Sequence, residues 1–271
     1  PTTGIMDERL IEDAIKKYSI KAVMVVHVGG YSAEMSVINP LCKKYGIPVI
    51  EDCAHAFGAE YENKKVGDTD NLCVWSFHAV KNLPMGDGGA ISTNDDFLIK
   101  EFNKLRWLGI DKDTVSRSFS ETSSKKFYNW DYDVELLGYK YHLNDILATI
   151  GIVGLGTIEE SNARRKFIAE YYLNNIRKTI RPAHLSNRKS SYHFLPLFFE
   201  QREEIYKKLV ANDIYPGMHY KRNDQYKMYD KFIKINNCEN AEWYQQHELT
   251  LPIHLELTDD DLSYIVNTLN S

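Results

Sequence analysis

Through the first 110 residues, short apolar runs alternate with segments of helical spacing. Lys21 to His27 (KAVMVVH) is apolar and β-branched and predicts a strand, Ala33 to Gly46 (AEMSVINPLCKKYG) has the three-and-four spacing of a helix, and Ile47 to Asp52 (IPVIED) predicts a second, buried strand. Together they form a βαβ unit. Leu72 to Phe77 (LCVWSF) reads as a third strand and Gly88 to Asn94 (GGAISTN) as a fourth. Asp95 to Gly109 (DDFLIKEFNKLRWLG) predicts an amphipathic helix, begun by Asn94 or Asp95 and stopped by Gly109.

From Asp111 to Tyr132 the pattern turns polar and rich in serine and lysine, which predicts an exposed connection. After it the chain reads as helical. His142 to Ile180 can make one long helix or two, interrupted near Gly154 and Gly156 where helix propensity is poorest. A strand at Tyr192 to Phe199, a helix from Gln201 to Asn212, a tyrosine-rich stretch and a last helix from Asp259, capped by Thr258, complete the chain. The change of pattern predicts a large domain over residues 1–155 and a linking helix with a small α+β domain over 156–271.

Composition narrows the function. A chain of 271 residues with 43% hydrophobic residues can bury a large core, and a formal net charge of −5 with basic pairs scattered at Lys43-Lys44, Lys125-Lys126 and Arg164-Arg165 argues against nucleic acid as a partner. Cys42, Cys53, Cys73 and Cys238 show neither CxxC nor metal-like spacing, so no metal is expected and a reducing cytoplasm is. No apolar run is long enough to span a bilayer, and no basic-then-apolar leader opens the sequence. The first residue is Pro1, which predicts trimming or excision from a longer chain. The glycines of GIVGLG (Gly151 to Gly156) fall inside a helix in the wrong order for a dinucleotide site, and P-loop, HExxH, GxSxG and kinase signatures are missing.

What remains is a pair of strand ends, where open α/β sheets bind their ligands. Asp52 closes the second strand with His55 three residues on, and Ser76 closes the third with Lys81 five residues on. Singly, each has a commoner structural use as a turn former, cap or surface charge. Together they supply the set that pyridoxal phosphate chemistry asks for: a lysine to hold the aldehyde as a Schiff base, a carboxylate to keep the pyridine nitrogen protonated and a hydroxyl for the phosphate. Lysine ionises near 10.4, so the loop must desolvate Lys81 for it to serve as nucleophile and proton shuttle. Pro84, Gly86, Gly88 and Gly89 permit the sharp return that brings it against the sheet.

These residues resemble a known family. The run from Val49 to Asp95, with VMVVHVGGYSAEM before it and LRWLGI, LLGYKYHLNDILATIG, GMHY and LTLPIHLELTDDDL after it, is similar to the sugar aminotransferases of the DegT/StrS type. The resemblance implies fold type I, a three-layer, mostly parallel sheet like that of aspartate aminotransferase. It implies Lys81 as the lysine that bonds the cofactor, Asp52 as partner of the pyridine nitrogen, His55 against the ring or its hydroxyl, Ser76 on the phosphate, and His219 and Tyr220 at the substrate. The reaction implied is transfer of an amino group, usually from glutamate, onto a keto carbon of a nucleotide-linked deoxysugar, in a homodimer with shared active sites. Related enzymes that dehydrate sugars have histidine at the position of Lys81, so the lysine argues for transamination. The sequence departs from the family where Lys140 and His142 replace an asparagine and an arginine, the asparagine commonly serving the neighbouring subunit's phosphate; Lys140 can serve there as a point charge. Lys221 and Arg222 are open to two readings, contacts to a diphosphate or a solvated pair. The family also carries roughly a hundred residues before the segment matching Pro1. Alternatives are an aminotransferase of the same family acting on a cyclitol or ring precursor, a catalytically silent homologue with an assembly role, and an unrelated α/β binding module.

Overall fold

The first apolar runs form parallel strands because each buries one row of side chains under the first two helices. In the computed structural model, which describes residues 1–110, 132–232 and 238–271, β1 (Val23–Val26), β2 (Val49–Asp52), β5 (Leu72–Ser76) and β6 (Gly89–Ser92) lie in the order β1-β2-β5-β6. The first three are parallel and β6 is an antiparallel edge. Val23, Val25 and Val49 pack with Ile11 of α1 (Ile11–Lys17) and with Met35, Ile38 and Cys42 of α2 (Met35–Lys44). The opposite face of β1 is open, leaving Met24 exposed. Register sets Asp52 between Val26 and Val74, and Ser76 opposite Gly89. The α3 helix (Asp96–Leu105) starts at Asp95, whose carboxylate accepts from the Phe97 and Leu98 amides. The polar connection predicted from Asp111 lies outside the described residues as far as 131.

The long helical region is two helices. α4 (Asp145–Leu155) is capped by Asn144, and α5 (Ile158–Asn175) begins after a break at Gly156 and Thr157. Ile158, at the start of α5, packs with Phe77, Leu83 and Met85 beneath the first sheet. Ile168, Ala169 and Tyr172, near its end, belong to a second core with Leu197, Leu209, Leu249 and Leu262. That core lies between the antiparallel pair β8 (Pro196–Phe198) and β9 (Glu248–Thr250) and the helices α5, α6 (Arg202–Val210) and α8 (Asp259–Asn270), while α7 (Glu239–His247) packs Trp243 and Tyr244 against Phe198 of β8. Thr258 caps α8 in a capping box with Asp261.

One layer is not visible in the periodicity. β3 (Glu60–Tyr61) and β4 (Lys64–Lys65) form a hairpin, and β7 (Arg188–Lys189), from the second half, adds to β3. The strap from 187 to 193 thus lies on the first half. His193 donates its amide to Gly29 O at 3.0 Å, and Ser191 Oγ donates to His55 O at 2.7 Å. The buried Arg188 guanidinium bonds Glu34 and Ser32 O. Gly30 is held at φ +89°, where a Cβ would lie 2.1 Å from Ser191 Oγ, so the strap can approach only a glycine.

Candidate active site

Asp52 and Ser76 stand at the carboxyl ends of adjacent parallel strands, as β2 and β5 require. The chain then turns back in a loop closed by Phe77 N–H to Gly88 O at 2.8 Å and Met85 N–H to Phe77 O at 2.9 Å. Gly86 and Gly88 take φ of +92° and +137°, and the side chains of Leu83 and Met85 anchor the loop in the core. Lys81 is thereby half-buried. Burial lowers its pKa below the usual lysine value, opposed by the charge of Asp52. Asp52 Oδ1 also accepts from Ala54 N–H at 3.0 Å, and Ser76 Oγ from His78 N–H at 3.4 Å, so both residues fill their turn-forming role as well. Beneath Asp52, the neighbouring Glu51 is buried and satisfied by His27, Thr69 and Asn71.

Beside the amine lies a layer of rings. His55 stacks on His193, centroids 4.4 Å apart at 20°, and its Nε2 is 3.3 Å from Tyr220 Oη. His219 stacks on Phe194 at 4.5 Å, with Nδ1 2.9 Å from Thr250 Oγ1 and its amide donating to Glu248 Oε2 at 2.9 Å. Burial, with the Lys81 charge second for His55 and His55 second for His193, pushes both imidazoles down to about 3; burial and then Lys81 lower His219 too. Burial pushes Glu248 up to about 8. A cavity of about 860 Å³ opens here, with Val80, His193, Phe194, His219, Pro252 and Ile253 among its walls.

Lys81 therefore acts electrostatically on His55 and His219, and Asp52 on Lys81, which brings those predicted residues into one locality; Ser76 lies on the same strand ends. Lys140 is not among them: it is exposed, with Nζ 4.2 Å from the Trp107 ring centroid and 3.5 Å from His142 Nε2. Of the basic pair, Arg222 is tied to Asp224 and Glu242, and Lys221 lies over Tyr226. Asn82, His193 and Phe194 escaped the sequence reading. Asn82 hides behind its neighbour Lys81, and His193 and Phe194 sit in an apolar run that predicts only a strand.

The DegT/DnrJ/EryC1/StrS aminotransferase family model matches residues 1–270. The chain belongs to that family. It is a transaminase of the pyridoxal phosphate-dependent kind. It is 34% identical over 280 residues to the UDP-4-amino-4,6-dideoxy-N-acetyl-beta-L-altrosamine transaminase of Campylobacter jejuni, an alignment covering 99% of this chain and 70% of that one. Its structure is similar to PseC of Helicobacter pylori, an aminotransferase involved in the biosynthesis of pseudoaminic acid, with TM-score 0.87, 28% identity and coverage of 99% and 71%. It also resembles the putative sugar aminotransferase Spr1654 of Streptococcus pneumoniae in its PMP form, with TM-score 0.88, 26% identity and coverage of 98% and 72%. These family members confirm the fold type I expectation.

The residues present fit the family's cofactor. The half-buried Lys81 amine lies within electrostatic reach of the Asp52 carboxylate, and among the described residues no group bonds the buried His55 Nδ1, a cost that a ligand group beside it would relieve.

Proposed function

We propose that this aminotransferase moves an amino group from glutamate onto a keto carbon of a nucleotide-linked deoxysugar, with Lys81 as the working amine. The observation that carries the reading is the placement of that amine: half-buried, its proton loosened by desolvation, at the ends of the strands that present Asp52 and Ser76. Pyridoxal phosphate, when bound, supplies an aldehyde to carry the amino group and a ring that withdraws electrons from the reacting carbon. Asp52 would hold the positive ring nitrogen, Ser76 would donate its hydroxyl to the phosphate, and His55 would lie against the ring. Lys81 Nζ, its pKa lowered by burial, takes the proton from the substrate carbon and returns it. The neutral imidazoles of His55 and His193 narrow the site around that amine without adding charge.

His219 lines the cavity and Tyr220 follows it in the chain, its hydroxyl reaching His55, a placement that supports both as substrate contacts. Lys140 faces outward, which suits a residue serving the site of a second copy. Pairing is supported by α4, which exposes Ile146, Ile150, Ile152 and Val153. The two cores bridged by α5 support division into a large and a small domain near residue 156. Among the described residues no helix is long and apolar enough to cross a membrane, and we place the enzyme in the cytoplasm with its soluble substrates. Incubating the cofactor-loaded protein with glutamate and UDP-linked keto-deoxysugars tests the substrate class: an amino sugar nucleotide is the expected product. Turnover of cyclitol ketones alone would overturn it in favour of the cyclitol reading.

A further inference from the structure

The residue after the lysine is more completely buried than the lysine itself. Asn82 is 3% exposed and makes three side-chain hydrogen bonds: Nδ2 to Asn162 Oδ1 at 2.8 Å, Nδ2 to Ser191 O at 2.7 Å, and Oδ1 with His193 Nδ1 at 3.1 Å. The direction of each bond follows from two backbone carbonyls, which can only accept. Phe57 O accepts from Asn162 Nδ2 at 3.0 Å, so Asn162 turns Oδ1 toward Asn82. Ser191 O requires the Asn82 amide nitrogen on its side. Asn82 therefore presents only an oxygen to His193, and His193 Nδ1 must carry the hydrogen. Among the described residues no group bonds His193 Nε2, and this nitrogen is not sealed from the cavity whose wall His193 forms.

We propose that Asn82 is the positioning residue of Lys81: its amide pins the lysine loop to α5 and to the 191–193 strap, and fixes the imidazole beside the amine as the Nδ1–H tautomer. This rests on Lys81 being the working amine. Three elements remote in sequence, the loop, α5 and the strap, meet in one side chain, so the position of the amine depends on all three staying docked. The fixed tautomer has a second effect. His193 stacks on His55, and the charged or titratable groups that face it, Lys81, His55, His219 and Arg165, all disfavour a proton on it. Nδ1–H is committed to Asn82, and burial with those neighbouring charges keeps a second proton off Nε2, so the ring adds no repulsion that would displace the Lys81 ammonium.

Two-dimensional NMR of protein with nitrogen-labelled histidine reads the tautomer directly in the cofactor-loaded enzyme, the His193 signals being identified by their loss in His193→Gln. The expected result is a neutral ring protonated on Nδ1 that does not titrate between pH 5 and 9. In Asn82→Asp a carboxylate replaces the amide, faces two acceptors and draws a second proton onto His193. That ring is then expected to be charged near pH 7, and the half-reaction with glutamate to slow at least ~10-fold with its acidic limb moved to higher pH, because the carboxylate also holds the proton on Lys81. Asn82→Ala, which adds no charge, is expected to slow the half-reaction similarly without moving the limb in that direction. A native His193 protonated on Nε2, or titrating near 6.5, overturns the proposal, and that result needs no variant to fold. Lys81→Ala separates the two claims: a retained half-reaction there overturns the functional reading, whereas its loss there, with unaltered rate and pH profile in Asn82→Asp and Asn82→Ala, overturns the positioning role alone.

Discussion

A lysine is an ordinary surface charge until something removes its water, and at Lys81 the loop and the ring layer do so while Asp52 sets a limit to the shift. Replacing Asp52 by Asn keeps the shape and removes that opposing charge. The donor half-reaction of Asp52→Asn is expected to fall by at least ~100-fold, since the ring nitrogen would lose its counter-charge, a loss that a more readily deprotonated Lys81 does not make good. Stopped-flow absorbance checks this; a fall of less than a few-fold would mean that Asp52 serves only its turn, where Oδ1 already accepts from Ala54. Asp52, Ser76 and Lys81 were legible from the sequence because strand ends mark ligand sites and the lysine sits in a glycine-rich return. His55 was legible from its three-residue spacing to Asp52. His193 was not: its role comes from stacking on His55, 138 residues earlier in the sequence, and from the neighbour of Lys81, and neither relation leaves a periodic trace.

The strap and the first sheet make a similar point for elements. A two-residue strand such as Arg188–Lys189 carries no alternation, so its pairing with Glu60–Tyr61 cannot be read from the sequence, whereas the break between α4 and α5 could be, because glycines weaken a helix wherever they fall. The strap depends on Gly30. A methyl group there meets Ser191 Oγ at 2.1 Å and His55 O at 2.9 Å, at a φ that side chains disfavour. Gly30→Ala is expected to destabilise the protein by about 2–3 kcal/mol and to loosen the His55–His193 stack. Urea unfolding, with exchange of the Ser191 and His193 amides, checks both, and an unchanged midpoint would show that the strap closes without the glycine.

Across the whole molecule, buried titratable groups give stability a defined pH dependence. His55 and His193, held at about 3 against an ordinary 6.5, refuse protons that the unfolded chain accepts as pH falls below 6.5, so each removes roughly 1.4 kcal/mol per pH unit there. His219 adds in the same direction. Glu248, held up at about 8, keeps a proton that the unfolded state releases above its ordinary 4.5, so its contribution grows as pH falls and offsets about one imidazole. The imidazoles outnumber it. Cofactor-free protein is expected to lose roughly 2 kcal/mol between pH 6.5 and 5. Urea midpoints across that window check the sign, and constant or rising stability would show that these imidazoles are hydrated. The fold that buries them was legible as alternating strands and helices, but the joining of its two cores through α5 depends on which end of that helix each core meets, a long-range contact that periodicity does not record. All of these dependences converge on one amine. Its direct measurement is the absorbance change of cofactor-loaded protein on adding glutamate, compared with Lys81→Ala: the native chain should convert bound cofactor to its amine form and the variant should not, whereas equal conversion in the two would contradict the assignment of Lys81.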